Sequence, residues 1–213
     1  AAPDAKHARF ADELSDYTTL LRLWDYYHDQ KRALSRSQLR RTVRSEYLSF
    51  VRMNEWTDTH RQLRDVCREM GLTVGTRGRP ADDLHAAILA GFVTSVGKAH
   101  REGGFTSPVA GRFHVHPGSA VKPKNASWVV ATELVRTTRL YARACARVDA
   151  DAVEAAAKHL ITREYDQPEY NPSRGIVEAS MRVHFGSIEI ARGRRVDYGS
   201  VDRAGARRVF IEE

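Results

Sequence analysis

Nine lysines and arginines lie between Lys98 and Arg147, opposed only by Glu102 and Glu133. Read with a period of two, Arg139, Tyr141, Arg143, Cys145 and Arg147 fall on one side of an extended strand. Leu140, Ala142, Ala144, Ala146 and Val148 fall on the other. The first side sets guanidiniums around an aromatic ring, the combination that binds a phosphate backbone carrying stackable bases. The second side is small and apolar, fit for a core. The same arginines are also spaced i, i+4, i+8, and the alanines favour a helix. On these residues alone both strand and helix stand for 139–148.

Other residues that could do chemistry do not converge. His114 and His116 share a strand face and would make half a metal site, but no third and fourth ligand stand at sensible spacing. Gly91–Lys98 fails as a phosphate loop: five residues separate its glycines where four are needed, and Ala99 replaces the magnesium-binding Ser or Thr. Glu133 sits among apolar residues, as a structural ion pair would. Asp151 and Glu154 fit the first turn of a helix, and Ser119 has no evident triad partner. We expect no catalytic residue, no metal and no cofactor in this chain. A hydrolase built on the histidines would need a metal and a third ligand.

The chain has 213 residues, 42% of them hydrophobic and 29% charged, as in ordinary globular proteins. No apolar run approaches the roughly 20 residues of a membrane-spanning helix, and no apolar segment opens the chain. A cytoplasmic protein without a membrane partner is expected. Cys67 and Cys145 read as buried thiols. The net charge of +7 is unevenly spread. Residues 1–75 carry 13 basic against 11 acidic side chains, residues 149–213 carry 10 against 12, and residues 76–148 carry 11 against 4. A local positive field of this kind suits a polyanionic partner.

The elements that must position the basic block follow from periodicity. Residues 1–14 read as a loose entry. Ser15 or Asp16 caps a helix with Leu20, Leu23, Trp24 and Tyr27 as its apolar stripe. Ser35 or Ser37 caps a second, with Leu39 and Val43 inward, leading to Tyr47–Phe50. A third runs from about Glu55 to Met70, with Trp56, Leu63, Val66 and Met70 inward and Gly71 as the stop. Residues 73–80 read as a loop. Asp82 or Asp83 caps a fourth helix, whose Leu84, Ile88, Leu89 and Phe92 face a core. Phe113, Val115 and the turn Pro117-Gly118-Ser119 read as a short strand. The β-branched run from Trp128 to Val135, followed by Thr137-Thr138 as a bend, tips 139–148 toward a strand. Asp149 or Asp151 caps a short alanine-rich helix, and Pro168 and Pro172 mark a polar connection. Val177–Phe185 alternates as an amphipathic strand, with a tight turn at Gly186-Ser187 into a partner at Ile188–Ala191. A further helix starts near Asp202. The expected class is α+β: a small helical bundle over 1–92, an oligonucleotide-binding-type antiparallel barrel over 93–150, and a helix plus β-hairpin over 151–213.

His116-Pro-Gly-Ser, Lys122-Pro-Lys124, Trp128, Glu133-Leu-Val135, Thr137-Thr138 and Tyr141-Ala-Arg143 occur in the order of the oligonucleotide-binding barrel near the C-terminus of DEAH-box RNA helicases. Upstream, the stretches from Asp16 to Trp24, Leu34 to Arg40 and Tyr47 to Leu63 are similar to the ratchet-like helices of the same enzymes. The whole chain looks most like the bacterial HrpA-type branch. The resemblance implies an auxiliary region that holds single-stranded RNA, cut from a longer protein whose RecA-like motor domains bind ATP and Mg. This stretch lacks G-x-x-x-x-G-K-[ST] and D-E-A-H, so it would bind RNA without hydrolysing ATP. Charge, strand face and motif position nominate Lys98, Arg112, Lys122, Lys124, Arg136, Arg139 and Arg143 as phosphate contacts, with Thr137 and Thr138 beside them and Tyr141 as a stacking platform. The other reading is a protein-interaction module for a helicase activator or a ribosome-associated partner.

Overall fold

A computed structural model of the chain describes residues 2–75 and 81–212. Two compact units emerge, one holding the chain to Leu84 together with Ser119–Lys122, the other His85–Gly118 with Pro123–Glu213.

The first unit is helical. The expected loose entry is ordered instead, as α1 (Ala2–His7) and a 3-10 turn at Ala8–Phe10. Polar side chains hold it: Lys6 Nζ donates to the Ser45 carbonyl at 2.6 Å, and Arg9 pairs with Glu46 at 2.9 Å. Ser15 caps α2 (Asp16–Ala33), its hydroxyl accepting from the Tyr17 and Thr18 amides. Ser35, not Ser37, caps α3 (Arg36–Ser45) through a reciprocal box with Gln38. Ser49 caps α4 (Phe50–Glu69), which therefore begins a full turn before the expected Glu55. Gly71, at φ 71°, takes the left-handed position that ends it.

The core of this unit is small: Tyr27, Leu39, Val43 and Met53, with Leu23, Phe50 and Trp56 against it. Leu20 of α2 is exposed, contrary to the expected stripe. So are Leu63, Val66 and Met70 of α4. At about 1.5 Å per residue α4 is some 30 Å long, and only its first two turns meet this core. Cys67, on the uncovered half, is partly exposed rather than buried. Ser119 is explained here as well: its hydroxyl donates to Asp16 at 2.6 Å, and the Ala120 amide donates to the same carboxylate.

The second unit opens at His85, within α5 (Ala81–Phe92). Asp83 lies inside its first turn rather than at the cap. The expected loop falls partly on residues 76–80, and the alternative cap on the side chain of Asp82; both lie outside the described residues. Leu89 is fully buried, whereas Phe92 is exposed. A 3-10 turn leads into a closed five-stranded barrel: β1 (Val96–Ala99), β2 (Phe105–Ser107), β3 (Gly111–Val115), β4 (Trp128–Arg136) and β5 (Leu140–Val148), in the order β1-β2-β3-β5-β4. All neighbours are antiparallel except β3 and β5, which run parallel because β4 intervenes along the chain. Closure brings β1 against the buried rings of Phe105 and Phe113. A Cβ on Gly97 would lie 2.6 Å from the Phe113 ring, so only glycine fits there.

Asp149 caps α6 (Ala150–Ala156) by accepting from the Ala152 amide at 2.7 Å. Strand β6 (Ile161–Asn171) widens the expected hairpin, present as β7 (Ile176–Phe185) and β8 (Ile188–Asp197), to a three-stranded sheet, followed by α7 (Arg203–Glu212). The polar connection around Pro168 is strand β6. Its proline is tolerated because β6 is an edge strand with an irregular register between Asp166 and Glu169, where Gln167 has φ 51°. Glu154 of α6 ties the sheet, pairing with Arg194 at 2.9 Å and Arg163 at 3.3 Å.

Glu178 of β7 is buried and accepts from Asn171 at 2.9 Å, with Arg174 on its other oxygen. The Asn171 hydrogen bond, then the hydrogen bond and charge of Arg174, hold its carboxyl below the usual range, against the opposing effect of burial. A lowered carboxylate stabilises the fold fully above the ordinary glutamate value of about 4.3. That contribution vanishes as pH falls through the lowered value. Glu178→Gln should melt earlier at neutral pH, and its melting temperature should vary less with pH in the acid range. Parallel curves for the two proteins would refute the coupling.

Candidate nucleic-acid interface

The long β4–β5 hairpin decides what the barrel presents. At one end Trp128, Val129, Val130 and Ala131 are all buried, opposite Cys145–Val148, where Cys145 and Ala146 are buried too. Strict alternation would have left Cys145 on the arginine side. It is buried because this end is covered on both faces, and the strand is locally rephased at Ala144, whose φ is 49°. At the other end Arg136, Thr137, Thr138, Arg139 and Arg143 are exposed. The bend is closed by the Thr137 amide donating to the Arg139 carbonyl at 2.9 Å. Glu133 stands directly opposite Arg143 in the ladder.

The parallel β3–β5 pairing sets His114 beside Tyr141, and the His116 amide donates to the Ala142 carbonyl at 2.9 Å. The His116 ring meets Tyr141 edge-on at 5.8 Å and the His114 ring lies at 6.3 Å. His116 Nδ1 accepts from the Gly118 amide at 3.0 Å. A groove of about 230 Å³ results, lined by His116, Pro117, Val135, Thr137, Thr138, Tyr141 and Arg143. Partial burial, then the charges of Arg139 and Arg112, push the His114 imidazole below its ordinary value. The site thus offers an aromatic ring, hydroxyls and a guanidinium, with no carboxylate lining the groove among the described residues.

The nominated residues are not all gathered there. Thr137, Thr138, Tyr141 and Arg143 line the groove; Arg139 flanks it, and Arg136 ends β4. Arg112 folds onto its own loop, pairing with Glu102 at 3.0 Å and donating to the Glu102 and Gly103 carbonyls. Lys98 reaches the Glu189 carbonyl at 2.6 Å and lies over the Trp128 ring at 5.7 Å. Lys124 is exposed on a 3-10 turn at Pro123–Asn125, and Lys122 belongs to the first unit, its amide bonded to Glu13. His114 and His116, for which the sequence offered no further metal ligands, are the neighbours of Tyr141. Among the described residues no three potential ligands converge on a metal position. The signal for this role was present in the two-residue spacing that carries His114 of β3 and His116, just beyond its end, to the same side.

A closed five-stranded barrel with this hairpin defines the class. The family described as oligonucleotide/oligosaccharide-binding (OB)-fold matches residues 84–161. The ATP-dependent RNA helicase HrpA of Escherichia coli (strain K12) is 37% identical over 211 residues, which is 99% of this chain and 16% of that protein. Its homolog from Haemophilus influenzae is 34% identical over 212 residues, again 99% of this chain and 16% of its own length. The crystal structure of the E. coli DExH-box NTPase HrpB aligns over 61% of this chain and 16% of its own at 12% identity, with a TM-score of 0.43, too loose a likeness to argue from. Over 99% of its length the chain is similar to these HrpA-type RNA helicases, and it spans 16% of their length. No helix among the described residues is long and apolar enough to cross a membrane.

Proposed function

We propose that this chain is the part of an ATP-dependent RNA helicase that holds single-stranded RNA while RecA-like domains of the same parent protein pull on it, using ATP and Mg. The observation that carries the reading is the groove at the exposed end of the β4–β5 hairpin, where the Tyr141 ring lies among Thr137, Thr138 and Arg143. A base stacks on or against the ring, hydroxyls reach sugar or phosphate, and Arg139 and Arg143 take the backbone. Arg136 extends the same positive tip, and Lys124 adds to the charge of the second unit; Lys122, in the first unit, is a phosphate contact by its place in the motif alone. Arg112 and Lys98, each engaged by the protein itself, act mainly through their charge.

Binding of this kind is weak in sequence preference and strongly dependent on salt. For single strands each neutralised phosphate contributes roughly 0.7 to the slope of log K against log salt. The double variant Arg139→Gln, Arg143→Gln should lower that slope by about 1.4 in an anisotropy titration with a short homopolymeric RNA. A slope equal to that of the unmodified chain would reject the groove. A chain that binds no RNA at all would favour a protein partner for the same tip.

A further inference from the structure

Helix α3 carries Arg36, Arg40, Arg41 and Arg44 and no carboxylate. All four side chains are exposed, and none of the four guanidiniums has an ion pair or hydrogen bond among the described residues. Elsewhere in the same unit five arginines are neutralised by near neighbours: Arg9 by Glu46, Arg22 by Asp12, Arg32 by Asp29, Arg61 by Asp58 and Arg68 by Asp65. Arg52 and Arg64 stand singly on α4, and among the described residues of this unit only α3 gathers unpaired arginines in a row. The four arginines, with Ser35, Ser37 and Phe50, line a broad shallow concavity of about 950 Å³.

These charges work against the helix that bears them. Arg36 occupies the first helical position, where the dipole disfavours a cation. Arg36, Arg40 and Arg44 repel one another at i, i+4 spacing. Packing does not require them, since Leu39 and Val43 supply the buried face. What the row does provide is a regular array. Each four-residue step advances about 6 Å along the axis, so three guanidiniums stand in line over roughly 12 Å, a match for a polyanion whose charges also repeat evenly. Guanidinium forks bind phosphate bidentately. The one ring in the concavity, Phe50, packs against the core of the unit, so stacking on bases is not on offer here.

We propose that the exposed face of α3 is a second RNA-binding surface, which reads the sugar-phosphate backbone alone and acts separately from the barrel groove. It adds to the RNA-holding role proposed above but does not depend on the groove being the site of base contact.

The test uses the whole chain with the triple substitution Arg36→Gln, Arg40→Gln, Arg44→Gln. Glutamine keeps helix propensity close to that of arginine, so the fold survives and its circular dichroism should be unchanged. Three lost contacts should lower the salt slope for a long homopolymeric RNA by roughly 2, equally for poly(U) and poly(C). Arg→Lys at the same three positions should restore the slope. A matched variant, Arg32→Gln, Arg61→Gln, Arg68→Gln, removes as much charge from paired arginines and should leave the slope nearly unchanged. An unchanged slope in the α3 variant overturns the proposal. So does an equal fall in both triple variants, which would mean a general field, and so does polyglutamate competing as well as RNA, which would mean an acidic protein partner. The Arg139→Gln, Arg143→Gln variant separates the two readings: if the groove fails, its slope stays put while that of the α3 variant still falls.

Discussion

Phe113→Ala should destabilise the barrel by about 3–5 kcal/mol, among the largest losses expected from a single change in the second unit. The ring is fully buried and stacks on Phe105 at a centroid distance of 5.8 Å. It fills the place where the closing strand approaches most closely, since Gly97 has no room for a methyl group against it. Gly97→Ala should fail for the opposite reason, overfilling, at a typical cost of about 1–3 kcal/mol. The two changes are complementary: the methyl at 97 would occupy space that the missing ring leaves. Urea unfolding of the single and double variants should therefore show less than additive loss. Strict additivity would mean that Gly97 is required for something other than its distance from Phe113.

Tyr141→Ala should weaken binding of single-stranded RNA by about 1–3 kcal/mol, roughly 5- to 150-fold, with the salt slope nearly unchanged. Tyr141→Phe should bind almost as the unmodified chain does, because the ring and not the hydroxyl supplies the stacking face. The contrast with Arg139 and Arg143, whose loss should show in the slope, is what identifies a stacking residue. If Tyr141→Ala lowered the slope as much as removing those arginines, its ring would be positioning the arginines rather than meeting a base.

The features legible in the sequence were those set by local chemistry. Ser15, Ser35 and Asp149 announce helix starts because a side-chain oxygen at a cap has one simple job. The alternation of Val177–Phe185 announces β7 because one face is buried along its whole length. Strand β6 was hidden because its partners are charged and lie on another strand. Arg182 of β7 pairs with Asp166 at 2.6 Å and Glu164 at 3.4 Å, so a segment that reads as polar linker is held by cross-strand ion pairs. Leu63, Val66 and Met70 have helical spacing, which fixes a face but not whether anything covers it. The α3 arginines were masked by a nearly balanced count over residues 1–75, since the aspartates that balance the total are already paired elsewhere. The groove was half visible: the Tyr141 face could be read along β5, whereas the histidines joined it only through the parallel pairing with β3.

The irregular edge of the three-stranded sheet bears on how such a piece behaves at high concentration. A flat, uncharged outer strand is a template on which a second chain can add its own, and the start of fibrous aggregation. On β6 the proline removes one donor and the bulge at 166–169 twists the backbone out of line. On β8 Arg192, Arg194 and Arg195 are exposed along the opposite margin, and the ion pairs of Arg192 with Glu189 and Arg194 with Glu154 put charged groups where an incoming strand would have to lie. Both borders of the sheet are thus closed to self-templating, one by geometry and the other by charge.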